Sequence, residues 1–258
     1  MSLRGDARIT VEVRTLAGGK HSGQYGGAAP DALIVLLRAL TTLWDDHGNV
    51  AVAGLRREEW PGETYTDEEF RALAEIEPGL SIVGTGGLGS KIWSGPALTV
   101  LGIDAPAVDG APASVQAQAR ALLNVRVHPE QPAAEAQAAV VAHLAAQRPF
   151  GVPLTITAGA TGDGFRTSPT GAAGDAMVAA MDAAWSGTTV QTATGGAIPL
   201  VKAIADAIPE AAIFVFGATD SFANIHGPDE RVLIDEWRRA TLAEALFFHE
   251  IAERWAVR

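Results

Sequence analysis

The six histidines are weighed first, because an imidazole can bind a metal or move a proton near neutral pH. They are His21, His47, His128, His143, His226 and His249. None falls in an H-E-x-x-H or H-x-D pattern, so local spacing marks no metal site. His143 and His249 fall within helical patterns, His47 in a turn and His128 after a strand end. His21 and His226 each sit in a Gly-containing loop after an ordered element, where a scaffold can present a side chain. The adjacent carboxylates Glu58-Glu59 and Glu68-Glu69 have the chemistry for a metal or a general base. On an acidic chain they are expected to be solvated charge. Gly84-Thr85-Gly86-Gly87-Leu88-Gly89 spells G-x-G-x-x-G, which cradles a pyrophosphate only when a strand leads in and a helix leads out. Ile82-Val83 is a short lead, and Ser90 to Pro96 leaves no room for a helix, so a Gly-rich loop is expected. Thr194-Gly195-Gly196-Ala197-Ile198-Pro199 is a Gly-Gly turn into a helix with Pro near its first turn. Free N–H groups there would suit a carboxylate, and a plain helix start is the alternative.

The elements that would position these residues follow from periodicity. Residues 8–17 alternate apolar and polar, as a half-buried strand does. Pro30-Asp31 then opens a helix to Trp44 with Leu33, Leu36, Leu37, Leu40 and Leu43 on one face. Val50 to Leu55 reads as a short strand. Residues 57–80 read as an insertion, with Thr66 capping a helix to about Ile76 and Glu69 completing a capping box. Ala97 to Ile103 and Ala117 to His128 read as strands, Gln131 to Gln147 as an Ala-rich helix, and Val152 to Ala158 as a strand. Two helices on one face of an antiparallel sheet would bury both apolar sets, an α+β sandwich of ferredoxin-like kind. Gly159 to Pro169 reads as a linker. Beyond it, Ala172 to Trp185, Ile198 to Ile208 and Ile234 to Val257 read as helices. Ala212 to Phe216 reads as a buried parallel strand. One strand cannot form a sheet, so this α/β segment is expected to be incomplete.

Bulk properties narrow the partners. The chain has 258 residues, a formal net charge of −11, 48 % hydrophobic residues and no cysteine. An acidic chain repels phosphate backbones, so no nucleic-acid partner is expected. No basic run suits an anionic membrane surface, and no stretch reaches the roughly 20 apolar residues of a membrane span. Disulfides and cysteine zinc sites are excluded. The first residues hold no apolar run of signal-peptide length, so a cytoplasmic location is expected.

Four segments, in order, resemble the family of carnosinase, cytosolic dipeptidases, aminoacylase and succinyl-diaminopimelate desuccinylase. Lys20-His21-Ser22-Gly23-Gln24-Tyr25-Gly26-Gly27 is similar to the family's His-Ser-Gly…Gly-Gly stretch at the start of its lid domain. Asn124-Val125-Arg126-Val127-His128-Pro129-Glu130-Gln131 is similar to its Ser-x-Arg-x-x-Pro-x-Gln segment. Gly195-Gly196-Ala197-Ile198-Pro199 resembles its Gly-Gly-Ser-Ile-Pro loop. Ile225-His226-Gly227-Pro228-Asp229-Glu230 resembles its His-x-Pro-Asn-Glu segment. Each motif alone is weak, and four in sequence are specific. The resemblance covers nearly all of residues 8–257.

The resemblance implies a homodimeric two-zinc hydrolase, in which a metal-bridging water attacks an amide carbonyl of a peptide or N-acyl amino acid. It implies a lid or dimerisation domain over residues 7–160, with an insertion at 57–95. Residues 170–258 would be the end of the catalytic α/β domain. His21 would be a catalytic residue acting on a partner's substrate, Arg126 would bind the substrate carboxylate, and Gly196 and Ala197 would line the substrate loop. His226 would be a metal ligand. The family's Ser in the Gly-Gly-Ser loop is Ala197 here, and its Asn is Asp229. The family's H-x-D motif, bridging Asp and Glu-Glu pair, which precede the lid, have no counterpart. The chain is therefore expected to be a fragment of a longer enzyme and inactive alone, because a catalytic zinc needs about three protein ligands. The insertion and Trp93-Ser94-Gly95-Pro96 favour the dipeptidase branch. The competing readings are a non-catalytic dimerisation module and a nicotinamide-binding domain built on Gly84 to Gly89.

Overall fold

A computed structural model of the chain describes residues 2–256 except Pro169, Thr194, Gly195, Ala197, Ser221 and His226, and without the side chains of Pro199 and residues 254–256. The strands are β1 (Ser2–Leu3), β2 (Gly5–Arg14), β3 (Lys20–His21), β4 (Ala97–Asp104), β5 (Ser114–Val115), β6 (Gln118–Val127), β7 (Thr155–Gly162) and β8 (Phe165–Arg166). The helices are α1 (Ser22–Tyr25), α2 (Ala32–Thr41), α3 (Asp67–Leu73), α4 (Leu88–Ile92), α5 (Ala133–Ala145), α6 (Gly171–Trp185), α7 (Pro199–Ala207) and α8 (Ile234–Ala256).

The four long strands form one antiparallel sheet in the order β4-β6-β2-β7. With α2 and α5 as the connecting helices, this is the ferredoxin-like order expected from sequence. Strand alternation sends Ala7, Ile9, Val11 and Val13 of β2 to one face, with Ala119, Ala121, Leu123, Val125 and Val127 of β6 beside them, all buried. Both helices cover that face, α2 through Val35, Leu36 and Leu40 and α5 through Ala136, Val140 and Leu144. The α2 stripe is rotated from the expected one: Leu37 is exposed and Leu33 half-buried, because the buried ladder starts from Ala32 and Val35.

Local chemistry sets the element ends. Asp31 caps α2 by accepting from the Leu33 and Ile34 N–H groups, and its second oxygen accepts from the Gln116 N–H at 2.8 Å. The same carboxylate thus ties the helix start to the strand beyond β5. The Thr66–Glu69 capping box forms, but α3 ends at Leu73 rather than near Ile76. A register shift interrupts β2 and β7 between Ala7 and Ile9. The buried Gln137 amide donates to the Arg8 and Gly159 carbonyls at 2.8 and 3.0 Å, satisfying groups at that irregularity.

Two expected strands do not form. Val50 to Leu55 makes only one bridge, between Trp44 and Val50. Ala212 to Phe216 is irregular, with Ala212 exposed and the rest half-buried; among the described residues beyond 170 there is no strand for it to pair with. There α6 and α8 pack on each other through Met177, Ala180, Ala184, Ala240 and Ala243. Trp185 Nε1 donates to Glu236 at 2.8 Å across that pair. In the insertion, Trp93 is buried between Trp60 and Tyr65, with ring centroids 5.1 and 5.7 Å away.

Candidate functional site

His21 ends β3, whose two residues pair with β5 so that His21 lies opposite Ser114. It is also the N-cap of α1, its Nδ1 accepting from the Gly23 N–H at 3.1 Å. A neutral imidazole with Nδ1 in use as acceptor carries its proton on Nε2, so Nε2–H is a free donor. Every residue from Ala17 to Ala28 is exposed, so none of Lys20 to Gly27 is covered by this chain. Ser114 was missed in the sequence, since its only signal is the pairing with His21.

Arg126 lies near the far end of β6 and pairs with Asp6, its register partner on β2, at 3.3 Å. Asn124 donates to the same Asp6 oxygen. Arg126 lies eight residue steps along β6 from Gln118, beside the His21 ribbon, which is roughly 27 Å at strand rise. The structure therefore does not bring His21 and Arg126 together within one chain. Gly196 is half-buried, and a Cβ there would meet open space. Ala197 and His226 lie outside the described residues, as does Gly195 of the loop.

A cluster that the sequence reading set aside lies where the insertion meets β6 and β8. His128 is fully buried; its Nε2 meets Glu58 at 3.0 Å and its Nδ1 accepts from the Glu130 N–H at 3.1 Å. Arg166 reaches Glu58 and Glu130 at 3.2 Å, and Arg56 reaches them at 3.3 and 3.1 Å. Glu58 is thus paired rather than solvated, which corrects the expectation for the Glu58-Glu59 pair. Burial would raise the Glu58 pKa, but hydrogen bonds from His128 and Arg166 outweigh it and hold the carboxyl below its ordinary range. Burial lowers the His128 pKa, and the Glu58 bond only partly offsets this.

Glu58, His128 and Glu130 place one ligand atom each within 4.8 Å of one another. They do not fit a catalytic metal. Both ring nitrogens are engaged, and two guanidinium groups already neutralise the carboxylates where a divalent ion would sit. The dinucleotide reading also fails its context test. A helix does start within the Gly-rich run, at Leu88, contrary to expectation, but α4 has only five residues and no strand leads directly into the run.

An antiparallel four-stranded sheet with two helices on one face, carrying a histidine ribbon at one end, defines a recognisable class of domain. Residues 3–151 match the family model described as the peptidase dimerisation domain of the M20 peptidases, and the chain belongs to that family. It is 34 % identical over 249 residues to the cysteinylglycine-S-conjugate dipeptidase of Corynebacterium striatum, covering 95 % of this chain and 55 % of that protein. The fold matches the di-peptidase Dug1p from Saccharomyces cerevisiae with a TM-score of 0.82 at 19 % identity, over 98 % of this chain and 55 % of that one. It matches human carnosine dipeptidase 1 with a TM-score of 0.80 at 19 % identity, over 98 % of this chain and 56 % of that one. The chain spans about half the length of the relatives it matches. No described helix is long and apolar enough to cross a membrane.

Proposed function

We propose that this chain is the lid and the end of the catalytic layer of a homodimeric, metal-dependent amide hydrolase that cleaves dipeptides. Residues 7–160, with the insertion at 57–95, form the lid, and residues 170–258 the catalytic segment. The observation that carries the reading is the separation of His21 from Arg126. A dipeptide spans about 7 Å when extended, so one chain cannot apply both residues to one substrate. A second copy can, by lending its His21 to the first copy's site, and a dimerisation domain supplies the means.

In that arrangement the Nε2–H of His21 donates a hydrogen bond to the scissile carbonyl oxygen. The bond strengthens as negative charge grows there during water attack. Arg126 holds the substrate carboxylate with a planar, bidentate donor pair, while Asp6 and Asn124 hold its strand neighbourhood in register. The metals, zinc in the family the sequence resembles, would need ligands beyond this chain together with His226. The isolated chain is expected to be inactive for that reason, and the intact protein to sit in the cytoplasm. A dimerisation module without catalytic duty is the second reading, favoured by the family description of residues 3–151.

The test is the intact protein carrying His21→Ala. Dipeptide turnover should fall about 10²–10³-fold in kcat, the usual loss on removing one oxyanion donor. Unchanged kcat would leave the non-catalytic module as the better account.

A further inference from the structure

A cleft of about 480 Å³ lies between the turn that follows α2, the insertion and the start of β4. Trp44, Pro96 and Leu98 give it apolar surface, and Glu59, Lys91 and Arg57 give it charge. These charges are not paired with one another. Ser90 Oγ donates to Glu59 Oε2 at 2.8 Å, and Glu59 Oε1 has no partner among the described residues. The half-buried Lys91 has no side-chain partner among the described residues. Arg57 donates through Nη2 to the Val50 carbonyl and forms no ion pair among the described residues. Glu58, on the same wall, is already neutralised by Arg56 and Arg166. Glu59 and Lys91 flank one short run of chain. A Cβ on Gly84 would lie 3.7 Å from Lys91 Cδ, and one on Gly86 would lie 3.9 Å from Glu59 Oε1. Both glycines have positive φ, 82° and 83°, which favours glycine and leaves the wall bare there. The run between them is held in place. The Gly84 N–H donates to the His47 carbonyl and the Thr85 N–H to Asn49 Oδ1, each at 2.9 Å, while Asn49 donates to Asp45. Apolar surface with a few fixed polar groups is the make-up of a small-molecule site.

We propose that this cleft binds a free α-amino acid with an apolar side chain. Its ammonium group meets Glu59, its carboxylate meets Lys91 and Arg57, and its side chain lies against Trp44 and Leu98. Opposite charges that line one cleft without pairing match a ligand that carries both charges. Spacing sets the ligand's size. Gly84 and Gly86 are at most roughly 7 Å apart along the chain. An α-amino acid holds its nitrogen and carboxyl carbon about 2.5 Å apart, and a charge-assisted bond of about 2.8 Å on each side fills such a gap. A dipeptide is roughly 7 Å long before those bonds are added. The cleft is separate from the site proposed for substrate. Leu98 is the register partner of Val125, on the face that the helices cover, and Arg126, one residue on, points to the other face. The cleft's ligand does not depend on the intact protein cleaving dipeptides; where it does cleave them, the ligand is one of the products.

The experiment follows the Trp44 indole N–H resonance of this chain by NMR, assigned through its loss in Trp44→Phe. L-Leucine should shift that resonance to saturation. Leucinamide lacks the carboxylate and N-acetyl-leucine lacks the ammonium group, so each should bind at least about tenfold more weakly, the loss of one charge-assisted bond. Leucylglycine, too long for the gap, should also bind at least about tenfold more weakly. Lys91→Met should erase the preference for leucine over leucinamide, and Glu59→Gln the preference over N-acetyl-leucine. Arg126→Met should leave every response as it was. No shift with leucine, or equal shifts with leucine, leucinamide and N-acetyl-leucine, overturns the site. Those comparisons are made on the unaltered chain, so they decide the matter even where a variant fails to fold. A leucylglycine response as strong as that of leucine overturns the amino-acid assignment. A leucine response that disappears in Arg126→Met places the ligand on the other face of the sheet and overturns the cleft.

Discussion

Residues 2–166 and residues 171–256 are built from the same stock of Ala, Val, Leu and Ile but reach different ends. The first region closes on itself: β2 and β6 bury their whole inward faces, and α2 and α5 seal them. The second has three long helices and no strand among its described residues, and it leaves Trp237, Phe248, Leu200 and Ile208 more than half exposed. Large apolar side chains left in water carry a cost that each such exposed position adds to. The lesson is that a domain is stable when every apolar face has a mate within it.

The widest predicted contrast is in local stability. Amides of β2 and β6 should exchange only by global unfolding, which for such a domain lies at about 5–15 kcal/mol. Amides of α7 should exchange at near-intrinsic rates. Equal protection of the two would break the comparison, and hydrogen-exchange mass spectrometry reads it directly. A core truncation comes next. Leu123→Ala, at a fully buried position, should cost about 2–5 kcal/mol, whereas Leu200→Ala on the exposed face of α7 should change stability by less than about 0.5 kcal/mol. Denaturant titration of the two variants tests this.

Smaller effects sharpen the picture within the first region. Asp31→Ala removes the cap of α2 and the acceptor for the Gln116 N–H together, so it should cost about 1–2 kcal/mol by the same titration. It should also loosen the ribbon that presents His21. The smallest effect is a pH dependence. His128 has a folded pKa below its ordinary 6.5, so the unfolded chain takes up its proton first as pH falls and stability declines from that point downward. Glu58, also depressed, stabilises the fold above its ordinary 4.5 and loses that contribution as pH falls below it. Both act in the same direction, so acid should weaken the joint between the insertion and β8. His128→Gln should flatten the Tm profile between pH 7 and pH 5, a window set by the ordinary histidine value of 6.5; an unaltered slope would show that the histidine takes no part.

What could be read without coordinates divides by the range of the interactions. Asp31, Thr66 with Glu69, and the alternation of β2 were legible because each signal lies within a few residues. The four family-like segments were legible for the same reason. The Glu58–His128–Arg166 cluster was not, since 70 residues separate Glu58 from His128 and 108 separate it from Arg166. Ser114 was invisible until β5 paired with β3. Ala212 to Phe216 misled because a short apolar run reads as a buried strand whether or not a sheet is there to receive it.

The distance between His21 and Arg126 also has a consequence for inheritance. If every working site draws on both ends of the sheet from different copies, two differently damaged genes can rescue each other. A cell making one chain with His21→Ala and another with Arg126→Ala should assemble mixed pairs in which one of the two sites is whole. Random pairing would then return roughly a quarter of the normal activity from two alleles that are each silent alone.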